Sequence, residues 1–191
     1  MIRFRDVSFS YPGKPVFTHM SLTLPDRGAA ALMAPSGYGK TTLLRLLAGL
    51  EAPDGGTVTG AEGKKISFLF QEDRLLPWLT ALENAALVSD EKRAAEWLRK
   101  MEIEDGNAYP REMSGGMQRR CALARAMAYG GEILLLDEPF KGLDEALRGR
   151  IAGRIRDVFP LTVLAVHDPE EARLMGAEII RPAEKQGLAD G

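Results

Sequence analysis

The chain has 191 residues, of which 45% are hydrophobic and 27% charged, and its formal net charge is −2. This composition predicts one globular domain with an apolar core, and it gives no general attraction for nucleic acid. Cys121 is the only cysteine, which excludes an internal disulfide and a cysteine-rich metal site. No apolar run reaches the roughly 18 residues of a membrane-spanning helix, and the charged N-terminus is unlike a signal peptide. We therefore expect a cytoplasmic protein that reaches a membrane only through a partner.

The first predicted elements are two short strands, at 2–9 and 16–24, with no helix between them. Without a crossover helix these strands are expected to pair antiparallel. A short apolar run follows at 29–33. A helix is then predicted over 41–50, ended by the turn residues Pro53-Asp54-Gly55-Gly56.

The rest of the chain alternates apolar runs with segments of helical periodicity, which favours a mostly parallel α/β sheet. Residues 78–109 differ, because their apolar positions suggest helices with charged outer faces; we interpret them as a helical insert. The remaining predictions are a strand at 64–70, a helix at about 116–129, a strand at 133–136, a helix at 144–158, a strand at 161–166, a helix at 169–175 and a strand at 177–180.

The turn between the third strand and the first helix has the pattern of a phosphate-binding loop. It reads Ala34-Pro35-Ser36-Gly37-Tyr38-Gly39-Lys40-Thr41-Thr42. Gly37 and Gly39 let the backbone wrap around phosphate oxygens, and the amides at the helix start point at the anion. Lys40 supplies charge for the β- and γ-phosphates, and Thr41 supplies a hydroxyl for Mg²⁺. Ala34 replaces the usual first glycine, which requires a negative φ at this position.

Two carboxylates follow the most apolar strand, in Leu134-Leu135-Leu136-Asp137-Glu138-Pro139. Ligands of open α/β sheets bind at the carboxyl ends of strands. Asp137 is therefore a candidate Mg²⁺ ligand, directly or through water. Glu138 is a candidate base for the attacking water.

The segment Met113-Ser114-Gly115-Gly116-Met117 resembles the signature sequence of ABC-transporter ATPases, usually Leu-Ser-Gly-Gly-Gln. Met113 replaces the leucine and Met117 the glutamine, whereas the serine and both glycines are intact. A serine and two glycines at a helix N-terminus form a second anion site.

Further positions match this family in order. Gln71 resembles the glutamine that contributes to Mg²⁺ binding and senses the permease. His167 resembles the switch histidine that contacts the γ-phosphate and orients the base or the water. Asp144 resembles the aspartate at the subunit interface, and Tyr11 the aromatic residue that stacks on adenine. The resemblance spans roughly residues 2–181.

The resemblance implies an α/β fold of the P-loop NTPase class, with a mostly parallel sheet, an N-terminal antiparallel part and a helical insert subdomain. It implies one domain over 1–191. Within it, about 1–71 and 131–182 would form a RecA-like core with the antiparallel part, and about 72–130 the helical subdomain with the signature.

In the family two copies face each other head to tail. Each ATP, with Mg²⁺, would contact the loop Ser36-Gly37-Tyr38-Gly39-Lys40-Thr41-Thr42 of one copy and Ser114-Gly115-Gly116 of the other. Lys40, Glu138 and His167 would carry the catalysis of in-line water attack.

The segment Leu75-Leu76-Pro77-Trp78 is similar to that of importers of nitrate, sulfonates, taurine and thiamine precursors. The resemblance implies transmembrane permease subunits and a substrate-binding protein as partners, a place on the inner face of the cell membrane, and import of a small anion or vitamin precursor. The alternatives are an ABC ATPase outside transport, a nucleotide-gated interaction module without useful turnover, and a small-molecule kinase. The terminal residues 183–191 are expected to form a loose tail.

Overall fold

The computed structural model describes residues 1–182; the predicted tail at 183–191 lies outside the described residues. The strands are β1 Ile2–Tyr11, β2 Lys14–Leu24, β3 Gly28–Met33, β4 Gly55–Thr59, β5 Ile66–Leu69, β6 Ile133–Asp137, β7 Leu161–Val166 and β8 Glu178–Ile180. The α-helices are α1 Lys40–Leu47, α2 Ala81–Ala86, α3 Glu91–Lys100, α4 Gly115–Tyr129, α5 Glu145–Ile155 and α6 Pro169–Leu174.

The N-terminal sheet is antiparallel, as predicted, and has the strand order β2-β1-β4. Its third strand was not predicted, because Gly55 and Gly56 read as a turn. Gly56 has φ +79, and a Cβ there would lie 2.3 Å from the carbonyl oxygen of Asp6. The glycine therefore allows β4 to approach β1 closely, which is a recognised use of glycine within strands.

The second sheet has the strand order β5-β6-β7-β3-β8, and every pair in it is parallel. Every residue of β6 and β7 is buried, as expected for strands covered on both faces. Two predicted helices end earlier than expected. The first ends at Leu47, and Gly49 follows it with φ 68; the fifth ends at Ile155, and Asp157 follows it with φ 61.

Alternate residues of the parallel sheet enter two separate apolar clusters. Ile133 and Leu135 of β6 pack with α1 and the N-terminal sheet, whereas Leu134 and Leu136 pack with α4, α5 and α6. This alternation follows from the two-residue period of a strand. The parallel sheet is thus the central layer, and the ends of its strands are the places open to a ligand.

Helices α2, α3 and α4 pack against one another beside the parallel sheet. They form the helical part predicted from the sequence, although its boundaries at 72 and 130 remain a prediction. No helix within residues 1–182 is long and apolar enough to cross a membrane.

Candidate functional site

The site lies where four neighbouring parallel strands end. Gln71 follows β5, Asp137 and Glu138 end β6, His167 follows β7, and the loop 34–39 follows β3. These four strands are adjacent in the sheet, so one pocket receives side chains from all of them. This is the edge at which open α/β sheets bind ligands.

The loop after β3 takes its shape from two glycines. Gly37 has φ +76, and Gly39, the residue that caps the start of α1, has φ +109. A Cβ on Gly39 would lie 2.7 Å from both Phe17 and Val16 of β2, so the loop rests directly on the antiparallel sheet. Ala34 is not among the described residues with positive φ, and alanine therefore fits there without backbone strain.

Lys40, the first residue of α1, folds back over the loop. Its Nζ donates to the carbonyl oxygens of Ala34, at 2.6 Å, and Pro35, at 3.4 Å. Burial lowers the pKa of Lys40, and the nearby carboxylates of Glu138 and Asp137 oppose that shift. The ammonium group is therefore partly buried within the loop. A phosphate there would form a stronger, charge-assisted hydrogen bond with it than the two backbone carbonyl groups do.

Thr41 and Asp137 meet at the floor of the site. The Thr41 hydroxyl donates to Asp137 Oδ2 at 2.7 Å. The Asp137 residue is 2% exposed, and burial raises its pKa, while the hydrogen bond from Thr41 opposes this. A buried carboxylate held by one neutral hydroxyl retains unused acceptor capacity for a cation.

His167 and Gln71 both contact one carboxylate oxygen of Glu138. His167 Nε2 lies 3.1 Å from Glu138 Oε1, and Gln71 Nε2 donates to the same oxygen at 3.5 Å. His167 Nδ1 lies 3.4 Å from Lys40 Nζ. An ammonium group only donates and a carboxylate oxygen accepts, so His167 Nδ1 can accept from Lys40 while Nε2 donates to Glu138.

The pocket formed by these groups has a volume of about 300 Å³. It contains the predicted residues Tyr11, Ser36, Gly37, Tyr38, Gly39, Lys40, Thr41, Thr42, Gln71, Asp137, Glu138 and His167. Sequence reasoning missed three further lining residues, Lys14, Pro15 and Val16. Only their position after the turn that follows Tyr11 could have suggested them.

Four predicted residues do not line this pocket. Ser114, Gly115 and Gly116 start α4, where the Ser114 hydroxyl accepts a hydrogen bond from the Met117 amide at 3.2 Å. The Asp144 carboxylate likewise caps α5. In a single copy, Ser114 and Asp144 serve as helix caps, and all four residues lie outside the pocket that contains the phosphate loop.

The pocket suits a magnesium ion that is bound together with a nucleotide. No cluster of three or more histidine, cysteine, aspartate or glutamate side chains within residues 1–182 has the geometry of a metal site. Mg²⁺ commonly uses one or two protein oxygens and completes its shell with phosphates and water. The adjacent oxygens of Thr41 and Asp137, with the Gln71 side chain nearby, fit that pattern.

Comparison of the sequence with known proteins identifies the protein family. Residues 17–141 match the ABC transporter family. The chain belongs to this family, and it is an ATPase of the ABC transporter class.

The relatives and solved structures are similar over nearly the whole chain. The aliphatic sulfonates import ATP-binding protein SsuB of Delftia acidovorans is 38% identical over 94% of this chain and 78% of its own length. The probable sulfate/thiosulfate import ATP-binding protein CysA of Chlorella vulgaris is 35% identical over 94% of this chain and 86% of its own. A dimeric structure of the ATP-binding cassette MJ0796, in a post-hydrolysis state with ADP and Pi, has a TM-score of 0.86 at 28% identity and covers all of both chains.

Proposed function

We propose that this chain hydrolyses Mg²⁺-ATP at a site shared by two copies, and that the reaction drives import of a small anion through a membrane permease. The observation that carries this proposal is the convergence of the phosphate loop with Asp137, Glu138 and His167 at one edge of the parallel sheet. A binding module without turnover would not require a carboxylate, an imidazole and an ammonium group within contact of one another.

The nucleotide would lie along the pocket from Tyr11 to His167. The Tyr11 ring makes an edge contact with Phe9, with ring centroids 5.0 Å apart, and its hydroxyl accepts from Arg45 at 3.3 Å. These contacts restrain the ring, which would then stack on adenine. The amides of the loop and Lys40 would hold the phosphates, since helix N-termini and lysine both favour anions.

Thr41, Asp137 and Gln71 would hold Mg²⁺. When bound, the ion would neutralise charge on the β- and γ-phosphates. The protein contributes a buried carboxylate, a hydroxyl already in contact with it, and an amide side chain from the neighbouring strand end.

Glu138 would orient and polarise the attacking water. Its Oε1 lies beside His167 Nε2, so the imidazole would hold the carboxylate towards the γ-phosphate and donate a hydrogen bond as charge develops. Water attacks the γ-phosphorus, the bond to the β-γ bridging oxygen breaks, and ADP and phosphate are the products. The proton of the water would pass towards Glu138.

The shared site would arise because Ser114, Gly115 and Gly116 lie outside the pocket of their own copy. The N-terminus of α4 offers amide groups to an anion, and a second copy could place them against the γ-phosphate. The similar MJ0796 cassette forms dimers. Asp144 would lie near this junction, because its neighbour Gly142 packs against Gly116.

The cargo would be a small sulfur-containing anion such as a sulfonate or sulfate, because the similar importers named above carry such anions. Trp78, 69% exposed, and Leu87, 51% exposed, lie on the helical insert and offer an apolar surface to a permease. The chain would therefore act on the inner face of the cell membrane, with permease subunits and a substrate-binding protein as partners.

The proposed role of Glu138 in ATP hydrolysis is tested by the Glu138→Gln variant, with Glu132→Gln as the matched control. Glu132 precedes the same strand at its opposite end, where its carboxylate accepts from the Lys65 amide. We expect Glu138→Gln to abolish ATP turnover and to give an ATP-dependent dimer in sedimentation, while Glu132→Gln keeps wild-type turnover. Wild-type protein that neither turns over nor dimerises with Mg²⁺-ATP, alone or with its permease, would contradict the proposal.

A further inference from the structure

Arg119 is a buried charged residue close to the site, 2% exposed, and no predicted role includes it. It lies in the second turn of α4, and its side chain is 3% exposed. The guanidinium group donates to oxygens on two separate segments. The acceptors are the carbonyl groups of Phe70, Gln71, Asp137 and Glu138 and the carboxylate of Asp73.

One group of these contacts holds the backbone at Glu138. The carbonyl oxygen of Glu138 accepts from Arg119 Nη2 at 2.9 Å and from Nε at 3.2 Å. Glu138 has φ 51, in the left-handed region that non-glycine residues adopt only when their surroundings impose it. Its amide is also fixed, because it donates to the Ala165 carbonyl at 3.0 Å. Arg119 therefore holds the carbonyl side of the backbone from which the Glu138 side chain projects.

The other group of contacts holds the segment that carries Gln71. Arg119 Nη1 donates to the Phe70 carbonyl at 2.6 Å and to Asp73 Oδ1 at 2.8 Å. This segment and Glu138 also meet directly, through the 3.5 Å contact of their side chains. The N–H donors of a planar guanidinium group point in fixed directions. The Glu138 backbone and segment 70–73 are therefore both held in position by the same rigid group.

We propose that Arg119 is a positioning residue that makes the placement of Glu138 depend on the conformation of segment 70–73. If segment 70–73 shifts, the guanidinium group must shift or lose bonds on one side. Either change alters the hydrogen bonds that keep Glu138 in its left-handed conformation. The inference rests on the proposed function, because it assigns Arg119 a part in ATP hydrolysis through Glu138.

The Arg119→Lys variant separates the effect of the guanidinium geometry on turnover from the effect of its positive charge. Lysine keeps the positive charge beside Asp73, but a point-like ammonium cannot bond both segments as the fork does. Arg119→Met removes both the charge and the hydrogen bonds. Arg120→Met is the matched control, because Arg120 is the next residue on α4 and donates to the carbonyl groups of Met101 and Glu102, away from the pocket.

The measurement is the kcat and KM for ATP of each variant, together with its melting temperature. We expect both Arg119 variants to lower kcat by at least about 10-fold, since misplacement of a catalytic group by about 1 Å can cost 100-fold, with KM within about three-fold of wild type. Arg120→Met should lower the melting temperature and leave kcat within about two-fold of wild type.

Asp73→Asn gives a second test, because the single variant can be measured even where an Arg119 variant folds poorly, and combining the two completes a double-mutant cycle. Asp73→Asn alone should lower kcat, because it loosens one side of the bridge. In the Arg119→Met background it should change kcat no further. Wild-type kcat in a folded Arg119→Lys variant, or additive effects of Asp73→Asn, would overturn the inference while leaving the proposed function intact. Absence of wild-type turnover would overturn both.

Discussion

Replacement of Gly39 by alanine should destabilise the protein more than the same replacement at Gly37, although both glycines belong to the phosphate loop. Both have positive φ, so alanine at either position meets backbone strain of roughly 1–2 kcal/mol. At Gly37 no described atom lies within 4 Å of the new Cβ. The backbone term alone therefore sets the cost at this position.

At Gly39 a steric term is added. The new Cβ would lie 2.7 Å from Phe17 Cζ and from Val16 Cγ1, where ordinary contacts are 3.4–4 Å. Phe17 is 3% exposed and Val16 8%, so neither side chain can turn into solvent. Overpacking of a closed site typically costs about 1–3 kcal/mol. The total for Gly39→Ala is thus about 2–5 kcal/mol, against about 1–2 kcal/mol for Gly37→Ala.

The assay is urea unfolding without nucleotide, which measures the free energy of unfolding of each variant from its midpoint and slope. Equal slopes with a lower midpoint for Gly39→Ala are the expected result. An equal decrease in the free energy of unfolding for the two variants would show that β2 moves aside for the new methyl group, and would refute the steric contribution at Gly39.

Three further predictions concern regions outside the loop. Asn84→Ala should lower the free energy of unfolding by about 2–3 kcal/mol in the same assay, because the fully buried amide bonds the preceding loop through four hydrogen bonds; an unchanged midpoint would contradict this. Hydrogen bonds and charges from Arg150 and Arg154 lower the pKa of Glu102 from 4.5 to about 2. Their stabilising effect is full above pH 4.5 and is lost as the pH falls towards about 2, so Glu102→Gln should flatten the acid-unfolding profile in that range. Burial raises the pKa of Cys121 to about 12, so a maleimide at pH 7 should label the thiol only as the protein unfolds, and rapid labelling of the folded protein would refute this.

The central strand and the phosphate loop could be predicted because their signals are local. The run Ile133 to Leu136 is apolar throughout, as a strand covered on both faces requires, and two carboxylates mark its end. Gly37 and Gly39 before Lys40 likewise indicate, from the sequence alone, a loop whose backbone adopts positive φ. Short-range patterns of this kind led to the confirmed fold class and family.

The features that could not be predicted depend on contacts between distant segments. Strand β4 contains two glycines of low strand propensity and forms because β1 provides a partner. Arg119 follows the signature segment by two residues, but its partners at Phe70 and Glu138 are distant in sequence and are brought to it by the sheet. The roles of Gln71, Ser114 and the other site residues remain predictions that depend on a nucleotide and a second copy.

A cross-linking measurement tests most directly whether ATP lies between two copies. One copy would carry Ser36→Cys in the phosphate loop, the other Ser114→Cys at the start of α4, and both would carry Glu138→Gln to prevent turnover. The buried Cys121 should not react in the folded protein. We expect a short bismaleimide to join the two different copies when Mg²⁺-ATP is present. Either copy alone, or the mixture with ADP, should give no cross-linked dimer. A mixture that binds ATP and yields no cross-linked dimer, or one that cross-links equally well without ATP, would contradict the proposal that ATP lies between two copies.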